Sequence, residues 1–376
     1  MRTILVTGAT GHQGHAVICS LLRENAAQGD QHKHFKILAT TRDPDSPRAT
    51  ALLRKGGGRV EVVRCNLNDA NEVNGLFTKC GPHSGKIWGV FCALVFPGPG
   101  KSAVGEERQG KTLIDAAIKH GVSHFVYSSV DRGGEARDDT FTLDKAAKVA
   151  IERYLKKRTG EEGSMSWTIL RPGFFMTNFV GSAGKIAAAV VREGLKPSTK
   201  LELVAVEDIG EFARVVFHDP QKYSSRCVVL GAECLTAAER DASYARAMTP
   251  HNTDKNVSKK DKPKNKQLPS ASGILARALI RWNGFTRDLC KEFEQAYTAH
   301  MEMNNGDPEA HLREFREALT SPDGQPLWTT FEIFCARNFR GGRLYRKENK
   351  EDFEAHGVGK DLEGIVATGA LSQEQA

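Results

Sequence analysis

Short apolar runs alternate, along the first part of the chain, with segments whose apolar residues recur at helical spacing. Runs of this kind suit strands that are buried on both faces of a parallel sheet, and the segments between them suit helices packed on that sheet. The runs cover residues 4–6, 35–41, 60–64, 86–95, 124–129 and 167–170. This order predicts an α/β fold, a doubly wound parallel sheet of about six to seven strands, with a smaller mixed α/β and helical C-terminal portion.

A glycine-rich turn, VTGATGHQG, directly follows the first apolar run and precedes a segment of small and apolar residues. Its glycines are spaced so as to allow a tight turn, close approach of the backbone to a pyrophosphate and close packing of a helix on its strand. The phosphates would then bind at the N-terminus of that helix. A surface turn is the alternative, but the flanking strand and helix favour nucleotide binding. The predicted contacts are Gly8, Thr10, Gly11, His12, Gln13 and Gly14.

The residues that follow the second apolar run indicate which dinucleotide binds. An acidic side chain here accepts hydrogen bonds from the ribose of NAD, whereas NADP requires a cation for its 2′-phosphate. Thr41 and Arg42 stand at this point, with Arg48 close behind, and the guanidinium fork matches phosphate geometry. A solvated loop arginine is the alternative, and Asp43 is able to serve a ribose. The order of these residues favours NADP(H), and NAD(H) is expected to bind with lower affinity.

Two motifs resemble those of the NmrA-like group of atypical short-chain dehydrogenases, which carry an NAD(P)-binding Rossmann fold. The first is the glycine turn, and the second is RPGFFMTN at residues 171–178, which resembles the family segment RPxFFMxN. The resemblance covers roughly residues 1–240. It implies that the second segment curls over the nicotinamide and closes the substrate side, which assigns Phe174 and Phe175 to the cofactor site. Core packing is the usual role of such a pair, and both roles are compatible.

Further cofactor contacts are expected outside these motifs. Asn66, where the family often has an aspartate, and Leu67 are expected to contact the adenine. Arg108, in the segment RQGK, resembles a basic residue that reaches toward the dinucleotide phosphates, with an exposed helical arginine as an equal alternative. Ala93 lies near the end of the fourth apolar run, so it is expected to border the cofactor at the carboxyl edge of the sheet.

The candidate catalytic residues lie at the end of the fifth apolar run and after it. Short-chain dehydrogenases place a serine here to hold the substrate carbonyl, and Ser128 and Ser129 occupy this place, with turn formation as the alternative. Catalytic members then carry a tyrosine and, four residues later, a lysine on one helix face. This chain has FTLDK, with Phe141 at the tyrosine position and Lys145 at the lysine position. Lys145 is expected to bind the ribose or, as resemblance to the isoflavone-reductase branch implies, to act as general acid or base.

Two functions compete on this pattern. The chain keeps the elements that bind the dinucleotide but lacks the catalytic tyrosine, and this combination favours a sensor of the NADP(H) redox state. Such a sensor would act through cofactor-dependent contacts with a protein partner such as a transcription factor. This is what the resemblance to NmrA-like redox sensors implies. The alternative is an NADPH-dependent oxidoreductase in which Lys145 supports hydride transfer to a small-molecule carbonyl or enone, for example in fungal secondary metabolism. A lysine in that role needs a depressed pKa.

Composition restricts the classes of partner. Much of the formal charge of +7 is local, because residues 254–266 carry six lysines against two aspartates, so nucleic acid is not an expected partner. Eight cysteines without CxxC spacing argue against a disulfide framework and a tetrahedral zinc site, and no metal is expected. The longest apolar run is far shorter than the ~20 residues of a membrane span, and no secretory signal is expected. A cytoplasmic location is predicted, with the nucleus as an alternative.

The sequence divides into segments of different character. The predicted segments are an NAD(P)-binding core at residues 1–165, the completion of that domain with the substrate-side wall at 166–245, a lysine-rich loop or linker at 246–272, a helical C-terminal portion at 273–340 and a partly disordered tail at 341–376. The helical portion is expected to cap the substrate cleft or to bind a partner.

Overall fold

The computed structural model describes residues 1–23, 35–78, 86–95, 98, 101–162, 165–249 and 267–340. The predicted tail at 341–376 and most of the predicted lysine-rich linker at 246–272 lie outside these residues. None of the described helices combines the length and the hydrophobicity that a membrane span requires.

Strands and helices alternate through the first half of the described chain, as the apolar pattern predicts. The strands are β1 (Arg2–Val6), β2 (Phe35–Thr41), β3 (Val60–Arg64), β4 (Ile87–Cys92), β5 (His124–Ser128), β6 (Ser166–Pro172), β7 (Phe174–Phe175), β8 (Leu201–Val204), β9 (Arg226–Leu230) and β10 (Glu233–Leu235). The helices are α1 (His12–Leu22), α2 (Pro47–Gly56), α3 (Ala70–Thr78), α4 (Val104–Lys119), α5 (Leu143–Glu162), α6 (Gly181–Gly194), α7 (Val206–His218), α8 (Ala237–Met248), α9 (Gly273–Trp282), α10 (Gly284–Met303), α11 (Arg313–Ala318) and α12 (Phe331–Cys335). Short 3-10 helices cover Asp138–Thr140, Met176–Phe179 and Ala310–Leu312.

The first of two compact units comprises Met1–Asp131, Glu135–Pro172 and Val206–Leu230. Its seven-stranded sheet has the order β3-β2-β1-β4-β5-β6-β9, and its neighbouring strands are parallel. The predicted doubly wound sheet is therefore confirmed. The strand order reverses between β1 and β4, which is the point where such sheets bind ligands, outside the carboxyl ends of the strands.

Both faces of this sheet are covered, which explains why its central strands are mostly buried and apolar. On one face, Leu5 of β1 belongs to a buried cluster with Leu113 and Ile114 of α4. Elsewhere in the unit α7 packs closely on α1, and Gly210 allows this approach, because a Cβ there would lie 2.5 Å from the carbonyl oxygen of Ala16. The helix that follows the glycine turn is thus held by a helix from a distant part of the sequence.

The second unit comprises Arg132–Gly134, Gly173–Ala205 and Gly231–Ala376. It contains a three-stranded sheet of order β10-β8-β7, in which β8 is antiparallel to β10 and parallel to β7. Helices α6, α8, α9, α10 and α12 surround a buried cluster that includes Phe179 and Phe331. This unit supplies the smaller mixed α/β and helical portion that the sequence predicts.

The two units divide the chain differently from the predicted segments. The predicted segment 166–245, which was expected to complete the core and to form the substrate-side wall, is shared between the units: residues 166–172 and 206–230 belong to the first unit. The physical reason is that β6 and β9 extend the parallel sheet, and β9 pairs with β6 from Thr168–Arg226 to Pro172–Leu230. The chain leaves the first unit after β6, builds part of the second, and returns to add the last strand.

Candidate functional site

The glycine turn between β1 and α1 is so compact that side chains would not fit. Gly8 has a φ of +60° and a Cβ on it would lie 3.0 Å from the carbonyl oxygen of Ala93. The amide of Gly11 donates to the carbonyl of Gly8 at 2.9 Å. A Cβ on Gly14 would lie 2.3 Å from that same carbonyl oxygen. The local backbone therefore requires glycine at Gly8 and Gly14, whereas at Gly11 a Cβ would make a tight contact of 3.2 Å with the Gly8 carbonyl oxygen.

The N-terminus of α1 has the properties of an anion-binding site. Gly11 is its N-cap, no side chain caps it, and its first turn, which includes His12 and Gln13, has no acidic residue. The first amides of a helix lack intrahelical partners and carry partial positive charge. Arg48 adds a cation at this turn, since its Nη1 lies 3.5 Å from the carbonyl oxygen of Thr10. These features fit a pyrophosphate at the turn.

The segment after β4 is fastened to the glycine turn. Thr7 Oγ1 donates to the Ala93 carbonyl at 2.9 Å, and the Ala93 amide donates to Thr7 Oγ1 at 3.0 Å. Ala93 thus lies beside Gly8, and its contact with the cofactor stays a prediction. The neighbouring Cys92 is not a nucleophile, because burial raises the pKa of its thiol to about 12.

The loop after β2 presents Arg42 to solvent and engages Asp43 locally. The carboxylate of Asp43 accepts a hydrogen bond from the Asp45 amide at 3.1 Å, and the amide of Asp43 donates to Thr41 Oγ1 at 3.3 Å. Arg42 is exposed directly after the strand. The local bonds of Asp43 favour the arginine as the side chain that meets a ligand here.

The loop after β3 contains the predicted adenine contacts and also receives Arg108. Asn66 is exposed and accepts a bond from the Asn68 amide at 3.1 Å, while Leu67 packs partly on the core. Arg108 Nη2 donates to Asn68 Oδ1 at 3.2 Å. Arg108 therefore contacts the predicted adenine loop at Asn68, two positions after Asn66. The contact of Arg108 with the phosphates stays a prediction.

The end of β5 is joined to the glycine turn by a hydrogen bond between two predicted site residues. Ser128 Oγ donates to Gln13 Oε1 at 2.6 Å, although the two lie 115 positions apart in sequence. Ser129 is also buried, and its hydroxyl has no hydrogen-bond partner among the residues that the structure describes. The structure thus brings a candidate catalytic serine to the candidate cofactor turn, and it leaves the other with an unsatisfied hydroxyl.

Phe141 and Lys145 lie together at the start of α5. Phe141 is 8% exposed and Lys145 is 9% exposed, and Lys145 Nζ lies 5.4 Å from the centre of the Phe141 ring. This separation is typical of a cation–π contact. Leu143 between them has a φ of +53°, a conformation that is strained for a bulky residue. The pair that replaces tyrosine and lysine is therefore buried, in mutual contact and next to a strained backbone.

The arginine of the second motif forms a buried ion cluster that the sequence does not reveal. Arg171 Nη2 lies 2.6 Å from Glu152 Oε2, and both side chains are buried. The same Nη2 lies 2.5 Å from Glu135 Oε1, which also accepts from Lys156 at 2.7 Å. Partial burial disfavours the charged form of Glu135 and acts to raise its pKa. The hydrogen bonds and charges of Lys156 and Arg171 outweigh this effect and lower the pKa to about 2. The cluster anchors β6, directly before the aromatic pair.

The aromatic pair of the second motif forms β7 in the second unit. The ring of Phe174 contacts Phe179, with centroids 5.2 Å apart, and Phe293, with centroids 5.7 Å apart. Phe174 therefore has the core role that the sequence left open. The role of Phe174 and Phe175 at a nicotinamide stays a prediction.

Comparisons with known proteins identify the family. The model of the NmrA-like family matches residues 1–302. An NmrA-like family domain-containing oxidoreductase, FrzB of Cladobotryum sp, is 27% identical over 252 residues, which cover 60% of this chain and 67% of that protein. A relative from Penicillium ochrochloron, the NmrA-like family domain-containing oxidoreductase ptmS, is 26% identical over 269 residues, covering 65% of this chain and 72% of the relative.

Solved structures share the fold at lower identity. The triphenylmethane reductase of Citrobacter sp. superposes with a TM-score of 0.57 at 18% identity, covering 89% of this chain and 99% of that one. An NADPH-dependent quinone oxidoreductase of Escherichia coli, complexed with NADPH, superposes with a TM-score of 0.54 at 19% identity and the same coverage. The family model extends over most of the chain, and it confirms the resemblance seen in the two motifs. This chain belongs to the NmrA-like family.

Proposed function

We propose that this protein is an NADP(H)-dependent oxidoreductase that reduces a small carbonyl or enone compound. The hydrogen bond between Ser128 and Gln13 carries this proposal, because it brings the end of β5, where both candidate serines lie, to the turn that is predicted to bind the dinucleotide. Relatives that are named oxidoreductases support it. The sequence pattern alone favours a sensor. We place the oxidoreductase first because those relatives and the buried Lys145 favour a catalytic function.

The cofactor in this proposal is NADP(H), with its pyrophosphate at Gly8, Gly11 and Gly14 and its 2′-phosphate at Arg42. Arg48 lies at the same turn and supplies a second cation. Asp43, the residue that would favour NAD, has its carboxylate engaged by the amide of Asp45. NAD(H) is expected to bind more weakly, because it lacks the 2′-phosphate that Arg42 would bind.

Replacement of Arg42 by alanine is expected to weaken NADPH binding roughly tenfold and to leave NADH binding nearly unchanged, because an exposed charge-assisted pair is worth about 1–3 kcal/mol. Calorimetric titration of both nucleotides measures this. Arg54→Ala, in the last turn of α2, is the matched control and is expected to alter neither affinity. Equal losses for NADPH and NADH in Arg42→Ala would refute the assignment.

The chemistry in this proposal depends on Lys145 and Ser129. Bound NADPH would supply a hydride to the substrate carbon or activated double bond. Phe141 has no proton to donate, so the ammonium of Lys145 would protonate the resulting anion. Ser129 would hold the substrate oxygen, since Ser128 already donates to Gln13 and the buried hydroxyl of Ser129 lacks a partner among the described residues. Buried hydroxyls are rarely left unsatisfied.

Oxidation of NADPH against a panel of carbonyl and enone compounds tests the proposal. Lys145→Ala is expected to reduce turnover roughly 10²-fold, the usual size of a general acid–base contribution. Lys157→Ala, an exposed lysine on the same helix, is the control and is expected to retain full activity. Phe141→Tyr would restore a phenolic hydroxyl four residues before the lysine and is expected to raise turnover. Turnover that survives in Lys145→Ala would show that another group transfers the proton.

A second candidate function is favoured by Phe141 itself. A buried phenyl ring at the tyrosine position removes the usual proton relay. The second candidate is therefore a sensor of the NADP(H) redox state, which would bind a protein partner in only one redox state of the cofactor. NADPH binding without turnover, together with a partner captured with NADP⁺ but not with NADPH, would support the sensor over the oxidoreductase. The cytoplasmic or nuclear location predicted from the sequence belongs to this proposal as well.

A further inference from the structure

Three side chains from separate elements of the second unit form a cluster. All three are distant in sequence from the glycine turn. Glu202 lies on β8, His300 near the end of α10 and His311 in the 3-10 helix Ala310–Leu312. Their side chains are 11%, 3% and 10% exposed. Both imidazoles meet the same carboxylate oxygen, since Glu202 Oε1 lies 3.3 Å from His300 Nε2 and 2.5 Å from His311 Nε2.

The local fold holds these groups in place. The two imidazole rings are stacked, with centroids 3.7 Å apart and planes 7° apart. Gly173 makes room for the carboxylate, because a Cβ there would lie 2.9 Å from Glu202 Cβ. The other ring nitrogen of His311 meets the side-chain amide of Asn304 at 3.0 Å. The amide atom at this contact is Nδ2, which donates, so Nδ1 accepts and Nε2 carries the proton that faces Glu202. Metal binding requires this proton to move to Nδ1 and the amide to turn so that its Oδ1 accepts from Nδ1–H, which is the usual outer contact of a metal-binding histidine.

We propose that Glu202, His300 and His311 bind a divalent transition-metal ion, with Zn²⁺ as the ion that fits best. Two imidazole nitrogens and one carboxylate oxygen form a ligand set that Zn²⁺ takes, with a water in the fourth position. Imidazole ligands disfavour Ca²⁺ and Mg²⁺, which bind oxygen. The ligand atoms lie within 4.8 Å of one another. Tetrahedral zinc with bonds of about 2.0–2.2 Å places its ligand atoms roughly 3.3 Å apart.

Small movements convert the hydrogen-bonded cluster into this arrangement. Glu202 Oε1 already lies 3.3 Å from His300 Nε2, so that pair has the separation which a bound ion requires. The 2.5 Å contact with His311 has to lengthen, and the stacked rings have to tilt so that both lone pairs point at one centre. Bound metal would link residues 202, 300 and 311 and so close long loops in the second unit, which stabilises the folded chain.

Metal titration of the full-length, untagged protein tests the proposal. After treatment with a chelator, the protein is titrated with Zn²⁺ in competition with a chromophoric chelator, and separately with Co²⁺, whose visible spectrum reports the ligand set. We expect one Zn²⁺ per chain and a tetrahedral Co²⁺ spectrum. His311→Ala is expected to lower the zinc affinity more than tenfold. His218→Gln, a histidine of α7 in the first unit, is the matched control and is expected to bind as the natural protein does.

A second variant keeps the test decisive if His311→Ala fails to fold. Asn304→Ala keeps all three ligands and removes only the contact with His311 Nδ1, so it is expected to lower zinc affinity by roughly tenfold, as loss of outer contacts does. Absence of stoichiometric binding to the folded protein overturns the proposal and leaves two histidines hydrogen-bonded to a carboxylate. Zinc affinity that is unchanged in both variants also overturns it, because the metal would then bind elsewhere.

Discussion

Replacement of Gly14 by alanine is expected to lower NADPH affinity by at least ~10²-fold. The added Cβ would lie 2.3 Å from the carbonyl oxygen of Gly8, 2.6 Å from its carbonyl carbon and 2.8 Å from Ala9 Cα. All three are backbone atoms, so no side-chain rotation relieves the contact, and α1 must move away from the turn. The amides that would bind the pyrophosphate move with it, and loss of two hydrogen bonds to a charged group, at about 1.5–3 kcal/mol each, corresponds to a loss of this size.

Calorimetry with NADPH measures the loss, and thermal unfolding followed by circular dichroism verifies that the variant is folded. Overpacking alone typically costs about 1–3 kcal/mol of stability. Gly75→Ala is the matched control, because a Cβ at this position in α3 has no neighbour within 4 Å. A folded Gly14→Ala variant that binds NADPH as tightly as the natural protein would disprove the pyrophosphate assignment.

Loss of Arg171 is expected to destabilise the protein by about 3–5 kcal/mol. Arg171→Ala leaves the buried carboxylate of Glu152 without its guanidinium partner, and an uncompensated buried charge is costly. Removal of both charges by Arg171→Met with Glu152→Leu is expected to cost much less. The double variant loses the attraction between the charges, but it also avoids the desolvation penalty of burying them. Urea unfolding measures the free energies of unfolding of the single and double variants.

Arg153→Ala provides the control for this experiment. Arg153 forms an ion pair with Asp139 in which the side chains are 55% and 85% exposed, so its loss is expected to lower the free energy of unfolding far less than the loss of Arg171 does. If Arg171→Ala costs no more than Arg153→Ala, the cluster at the end of β6 contributes little to stability, and the arginine of the motif must then be explained by a contact with a ligand.

Elements that depend on local pattern were predictable from the sequence. β2 and β3 have the bounds that the sequence predicts. β2 is buried over most of its length, as expected for a strand that is covered on both faces, whereas β3 lies at the edge of the sheet and is exposed at Glu61 and Arg64. The glycine turn was predictable as well, because its packing involves residues only a few positions apart. The proximity of Ser128 to the turn follows from a general rule, since the carboxyl ends of parallel strands meet at one edge.

Contacts between distant side chains were not predictable in this way. Nothing in the spacing of Arg171 and Glu152 indicates that they pair, and Glu152 reads as one of many charged residues on a helix. Glu202, His300 and His311 follow no metal-binding spacing in the sequence. The expectation of no metal was based on the spacing of the cysteines, and this cluster contains no cysteine. Such contacts depend on how helices and strands dock, which local hydrophobicity does not encode.

The interrupted first unit affects how the protein is made. Strands β1 to β6 leave the ribosome in order, but β9 follows β6 by about fifty residues, most of which build other structure. Until β9 arrives, β6 has an open hydrogen-bonding edge, and nascent chains with such edges are prone to pair with one another. Translation that stalls or stops before residue 230 would therefore yield an aggregation-prone product, even though the complete glycine turn was synthesised first.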